Sequence, residues 1–133
     1  MAALTLGASA ALRVVLDAGR QSAVIERLAA ADAVYAPSLF VAETANALWK
    51  YVGAGHVTVE GALRLHRDAT ALVDRYLDDA ELFPETLTVA SHLRHPVYDA
   101  LYLVTARRTG SALLTFDKKL AALAQKLDIA LAE

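Results

Sequence analysis

Short apolar runs, each followed by a stretch with helical spacing, constrain this chain more than any other feature. Leu4-Thr5-Leu6, Val34-Tyr35-Ala36 and Ala112-Leu113-Leu114-Thr115 are too brief for buried helices and carry no charge. Strands of this kind bury both faces, and parallel neighbours need a crossover long enough to hold a helix. The pattern therefore predicts an α/β architecture with a short, mostly parallel central sheet flanked by helices.

The expected elements begin with a strand over Ala3–Leu6, a helix over Ser9–Leu16, a turn at Asp17-Ala18-Gly19 and a helix over Ser22–Ala31. A brief strand at Val34–Ala36 leads into Pro37-Ser38, which open a long helix to Val52 stopped by Gly53 and Gly55. Thr58 caps a second long helix carrying Leu63, Ala69, Leu72, Val73 and Tyr76 at helical spacing and ending in Asp78-Asp79, with Asp74, Asp78 and Asp79 as its acidic, solvated end. A minimal strand at Glu81–Phe83 precedes Pro84, which starts a helix to Leu93. Pro96 starts the next helix and Gly110 ends it. The strand Ala112–Thr115, a helix from Asp117 to Lys126 and a last strand at Ile129–Leu131 complete the order.

With 133 residues and 56% hydrophobic content, the chain is expected to form one domain over residues 1–133, with a real core and no room for a second. Cysteine is absent, which removes disulfides and thiolate metal sites, so any metal would rest on oxygen or histidine ligands. Hard cations such as Mg²⁺ or Mn²⁺ follow as the default. No apolar stretch has bilayer-spanning length and no signal-peptide pattern opens the chain, so a cytoplasmic location is expected. Thirteen Lys+Arg against fifteen Asp+Glu give a net charge of −2, so no global basic excess advertises nucleic-acid binding.

Three acids stand against apolar elements: Glu43 inside a helix, Asp99 in a helical first turn, and Asp117 directly after Leu113-Leu114-Thr115-Phe116. Singly, each has an ordinary explanation. Glu43, Asn46 and Lys50 would form a solvated helix stripe, Asp99 would complement a helix dipole, and Asp117 would cap a helix. Together, placed against apolar elements, they suggest a divalent-cation site, and of them Asp117, just past the Ala112 strand, falls on the rim beyond the strands' carboxyl ends where such sheets bind ligands. Asp17 ends an apolar run but leaves no room for the helix expected before Glu43, so it reads as a turn residue. His56, His66, His92 and His95 have no zinc-site spacing, and His92 and His95 read as exposed neighbours on one helix face. Arg107, Arg108, Lys118 and Lys119 are candidates for phosphate contacts.

Three segments in order carry a family resemblance: Pro37-Ser38-Leu39-Phe40-Val41-Ala42-Glu43-Thr44-Ala45-Asn46-Ala47-Leu48, His95-Pro96-Val97-Tyr98-Asp99-Ala100-Leu101-Tyr102-Leu103, and Leu113-Leu114-Thr115-Phe116-Asp117-Lys118-Lys119-Leu120. From Leu4 to Leu131 the chain resembles the PIN-domain ribonucleases, in particular the VapC toxins of prokaryotic toxin–antitoxin pairs. The resemblance implies a PIN-like fold, with Glu43, Asp99 and Asp117 as catalytic and metal-binding acids around Mg²⁺ or Mn²⁺, and with Ser9, Asn46 and Thr115 in support. It implies cleavage of RNA phosphodiesters by metal-activated water, a homodimer, and a VapB-like antitoxin partner. The family's first aspartate ends the first strand, two residues before a serine, and this chain has Gly7-Ala8-Ser9 in that frame. Gly7 thus marks the position of a missing acid.

The resulting expectation is a VapC-like endoribonuclease, weakened or inactive because glycine supplies neither charge nor ligand. The alternative is a non-catalytic PIN module that binds an antitoxin or another partner protein. A receiver-like phosphoacceptor domain is disfavoured because its paired acids near the first strand are missing. The helices over Pro37–Val52 and Thr58–Tyr76, with Leu48, Trp49 and Tyr51, are expected to form an apolar groove for an antitoxin segment.

Overall fold

The computed structural model describes residues 2–16 and 22–132, so the Asp17-Ala18-Gly19 turn and Asp17 itself lie outside the described residues. The elements are β1 (Leu4–Leu6), α1 (Ala8–Leu16), α2 (Ser22–Ala30), β2 (Val34–Pro37), α3 (Leu39–Gly53), α4 (Val59–Ala71), β3 (Arg75–Leu77), α5 (Asp79–Leu93), α6 (Val97–Thr109), β4 (Ala112–Leu114) and α7 (Lys118–Lys126). The strands form one sheet in the order β3-β2-β1-β4. Every pairing is parallel, with Leu4 opposite Val34 on one side and Ala112 on the other. This is the expected α/β arrangement.

Burial explains why short strands suffice. Leu4, Thr5 and Leu6 are all buried, as are Leu113 and Leu114, so the central strands are covered on both faces. The main core joins them to Ala10, Phe40, Tyr102, Leu103 and Leu123. A second cluster under α5 and α6 holds Leu82, Val89, Ala90, Leu101 and Val104. Helix α6 is buried without a break from Ala100 to Ala106, because it lies between the sheet and α5 rather than on the surface. Its start positions Asp99, and its left-handed Gly110 (φ 62°) turns the chain into β4.

The region after Thr58 differs from expectation. Thr58 does cap α4, accepting Gly61 N–H at 3.0 Å, but the helix stops at Ala71. Asp74 then clamps the chain to β2: its carboxylate accepts Val34 N–H at 2.8 Å and its own N–H reaches Val34 O at 2.8 Å. Residues 75–77 add to the sheet edge as β3, so Tyr76 belongs to a strand packed on Phe40, with ring centroids 6.0 Å apart. The apolar spacing through Leu72, Val73 and Tyr76 fits a helix, yet the partner strand wins because it satisfies the backbone and buries Val73.

Asp74, Asp78 and Asp79 are accordingly not a solvated helix end. Asp78 is the N-cap of α5, accepting Ala80 N–H at 3.0 Å, and Asp79 accepts Leu39 N–H at 3.1 Å. Ser38 Oγ accepts Asp79 N–H at 3.1 Å in return, tying the starts of α3 and α5 together. Glu81–Phe83 is the first part of α5 rather than a strand, and Pro84 lies inside that helix. The signal was present as Asp78 followed three residues later by Glu81, the spacing of a capping box. At the other end the last strand reduces to a single bridge, Leu131 beside Leu113.

Candidate functional site

The parallel sheet sends the segments after β1, β2, β3 and β4 to one rim, and that rim gathers the acids. Glu43 lies on α3, one turn past its start, because Ser38 and Asp79 fix that start against α5. Its carboxylate is partly buried and Oε1 accepts the Tyr102 hydroxyl at 2.6 Å. Burial raises the Glu43 pKa above its ordinary value, the Tyr102 hydrogen bond works in the opposite direction, and the charges of Asp99, Asp117 and Asp79 add to the rise. These acids come from three further segments and share one electrostatic field. The Tyr102 phenol is pushed up, first by its burial and then by the Glu43 charge, so it stays a proton donor.

Asp99 sits in the first turn of α6, where the helix dipole favours a carboxylate, and its Oδ2 accepts His95 Nε2–H at 2.6 Å. Asp117 caps α7, its Oδ1 accepting the N–H groups of Lys119 at 2.9 Å and Leu120 at 3.2 Å. The approach to Asp117 is fixed by hydroxyls. Thr115 Oγ1 accepts Asp117 N–H at 3.0 Å and lies 3.2 Å from Ser9 Oγ, which accepts Phe116 N–H at 3.1 Å. Asn46 is exposed on α3 with no hydrogen-bond partner among the described residues.

Gly7 stands where β1 meets this network. Its N–H donates to Leu114 O at 2.8 Å and its carbonyl accepts Ala11 N–H at 3.2 Å. A Cβ at this position would lie 3.1 Å from Thr115 Oγ1 and 3.2 Å from both Thr115 Cβ and Leu114 O. Any larger residue therefore needs the β1–β4 edge to open by a few tenths of an ångström, although the glycine φ is not in the left-handed region.

Oxygen donors of this kind suit a hard divalent cation, and each of Glu43, Asp99 and Asp117 keeps one carboxylate oxygen outside its hydrogen bond. Their spacing does not make a ready cage: among the described residues no group of three or more His, Asp or Glu side chains is placed to hold a metal ion. Donor chemistry fits, while the assembled geometry falls short of a closed ligand set.

Several expectations change. Arg107 and Arg108 lie at the far end of α6 and both grip Glu85, with contacts of 2.7 and 3.0 Å, instead of facing the acids. His92 and His95 do not share a helix: His92 is in the last turn of α5, and His95 is in the turn before α6. Tyr102, His95 and Asp79 are the site residues that sequence reasoning passed over. Tyr102 and His95 lie three residues after and four before Asp99, at helix-neighbour spacing, and that was the available signal.

The PIN domain family matches residues 5–126. The chain belongs to the PIN domain family. Its structure is similar to the crystal structure of PAE2754 from Pyrobaculum aerophilum, at 25% identity and a TM-score of 0.73, covering 95% of this chain and 86% of that one. No curated protein matches the chain by sequence. PIN domains are generally metal-dependent nuclease modules, and a nuclease-type hydrolase is the coarse function this membership supports. Among the described residues, no helix is long and apolar enough to cross a membrane.

Proposed function

We propose that this chain is a VapC-like endoribonuclease whose activity is weakened or lost because Gly7 stands where the family places its leading aspartate. The observation that supports this most is Glu43, a partly buried carboxylate under the combined field of Asp99, Asp117 and Asp79. In this reading Glu43, Asp99 and Asp117 hold Mg²⁺ or Mn²⁺, and Ser9, Thr115 and Asn46 support them. The bound cation would supply charge neutralisation and water activation at an RNA phosphodiester. The chain's own part is orientation: Tyr102 keeps its proton and aims Glu43, His95 aims Asp99, and the α7 amides aim Asp117. The setting would be cytoplasmic, with a homodimer and a VapB-like antitoxin as partner.

A second reading, a PIN module that binds a partner protein without catalysis, is favoured by an apolar groove of about 240 Å³ between α3 and α4. Trp49 and Leu63 line it and are 67% and 66% exposed, Leu48 lines it from its buried floor, and Tyr51, expected with them, lies outside it.

The deciding experiment is Gly7→Asp beside Gly7→Asn and Gly7→Ala, with Mn²⁺ calorimetry and RNA cleavage in each and Asp99→Ala as the contamination control. The three variants share the Cβ crowding against Thr115; Asp and Asn are nearly equal in size and differ in charge, and Ala isolates the effect of the Cβ. Gly7→Asp is expected to gain at least roughly ten-fold in metal affinity and cleavage, Gly7→Asn much less, and Gly7→Ala nothing. A folded Gly7→Asp that neither binds Mn²⁺ more tightly nor cleaves RNA refutes the missing-acid account. Copurification of an adjacent-gene product would then favour the partner-binding reading.

A further inference from the structure

A second concavity, of about 620 Å³, opens between α1 and the turn joining α3 to α4, with Ser9, Arg13, Leu16, Tyr51 and His56 among its walls. It is chemically unlike the acidic rim. The Arg13 guanidinium lies 4.6 Å from the centroid of the Phe116 ring, and the Tyr51 and His56 rings meet edge-on at 6.1 Å. Phe116 is 38% exposed and Tyr51 39%, so each leaves aromatic surface uncovered. Arg13 has no carboxylate partner among the described residues, whereas Arg107 and Arg108 are both held by Glu85. Lys50 adjoins the same region, sharing a smaller hollow with Tyr51 and His56.

This concavity is joined to the acids by structure. Ser9 lines it, and the Ser9 hydroxyl accepts the Phe116 N–H and contacts Thr115 Oγ1, which accepts the Asp117 N–H. Along α3, Tyr51 lies eight residues beyond Glu43, about 12 Å up the helix axis. That offset places it beside a cleft at the acids rather than in it. Partly exposed aromatic rings offer stacking faces to any base, and cations without a carboxylate partner among the described residues offset the repulsion that an acidic rim exerts on phosphate.

We propose that the Arg13–Tyr51–His56 concavity is a subsite for a nucleotide of single-stranded RNA flanking the acidic cleft, with Arg13 taking a backbone phosphate and Tyr51 and His56 taking the base. The assignment rests on the reading of the acids as an RNA site. The test is fluorescence anisotropy of a labelled, unstructured RNA oligonucleotide with the full chain in EDTA, so that binding is read without cleavage, across a salt series. Arg13→Gln should weaken binding and flatten the slope of log affinity against log salt by roughly 0.7, the value for one phosphate contact on a single strand. Tyr51→Ala should weaken binding roughly five- to a hundred-fold and leave that slope unchanged. Tyr51→Leu keeps the apolar bulk and should behave likewise, which covers the case in which the alanine variant unfolds. Arg107→Gln, remote from the concavity, should bind as the native chain does. Native binding with unaltered Arg13→Gln and Tyr51→Leu would overturn the subsite alone, and an absence of native binding both in EDTA and with Mn²⁺ added would overturn the RNA reading with it.

Discussion

Replacing Tyr102 by phenylalanine removes one oxygen atom and keeps the ring that α6 buries in the main core. The oxygen lost is the donor 2.6 Å from Glu43 Oε1. A hydrogen bond to a charged acceptor contributes about 1.5–3 kcal/mol, and because Glu43 retains contact with water we expect the low end, about 1.5 kcal/mol, above neutral pH. The pH dependence follows from the direction of the Glu43 shift. Its folded pKa is raised above the ordinary 4.5, so its contribution to stability is fully present below 4.5 and is lost as pH rises through the folded value. Tyr102 is the interaction that opposes the rise, so Tyr102→Phe moves the folded pKa higher still. The variant's deficit should therefore be small below 4.5, where only a neutral hydrogen bond is lost, and should reach full size once pH exceeds the folded pKa of both proteins. Urea unfolding of both proteins from about pH 4 to about pH 8, with a carbon-13 titration of the Glu43 carboxyl, measures both quantities. A deficit that is flat across that range, or a Glu43 pKa that is unmoved or falls in the variant, would refute the reasoning.

Two further outcomes test the fold around the site. Thr86→Val should stabilise the protein by about 1 kcal/mol in thermal unfolding, because the Thr86 hydroxyl is buried on α5 without a hydrogen-bond partner among the described residues; a loss of stability would reveal a partner. Asp74→Ala should cost about 1–2 kcal/mol and speed hydrogen exchange at Val34, whose N–H the carboxylate holds at 2.8 Å; unchanged exchange would show that the clamp does not hold β3 on β2.

Much of the fold was legible because local rules and tertiary context agree there. Thr58 and Asp117 cap helices as their positions imply, and Gly110 ends α6 where a left-handed residue is needed. The failure over residues 72–83 has one physical cause. Helical periodicity in Leu72, Val73 and Tyr76 is indistinguishable from a short edge strand until the acceptor on Val34 and the stack on Phe40 are known. Misplacing that strand also hid Asp79, which appears as a loose surface acid unless β3 delivers it to the rim.

By itself, the sequence determined the α/β class and the order of most elements, because composition and periodicity are local properties of a chain, and its motif resemblance singled out Glu43, Asp99, Asp117 and the glycine at position 7. Only the tertiary structure decided what those acids touch. The Tyr102 proton on Glu43, the crowding of Gly7 by Thr115, and the cationic, aromatic hollow beside Ser9 all join residues from different elements. Such contacts depend on how a parallel sheet stacks its strand ends, and no one-dimensional pattern encodes that distance.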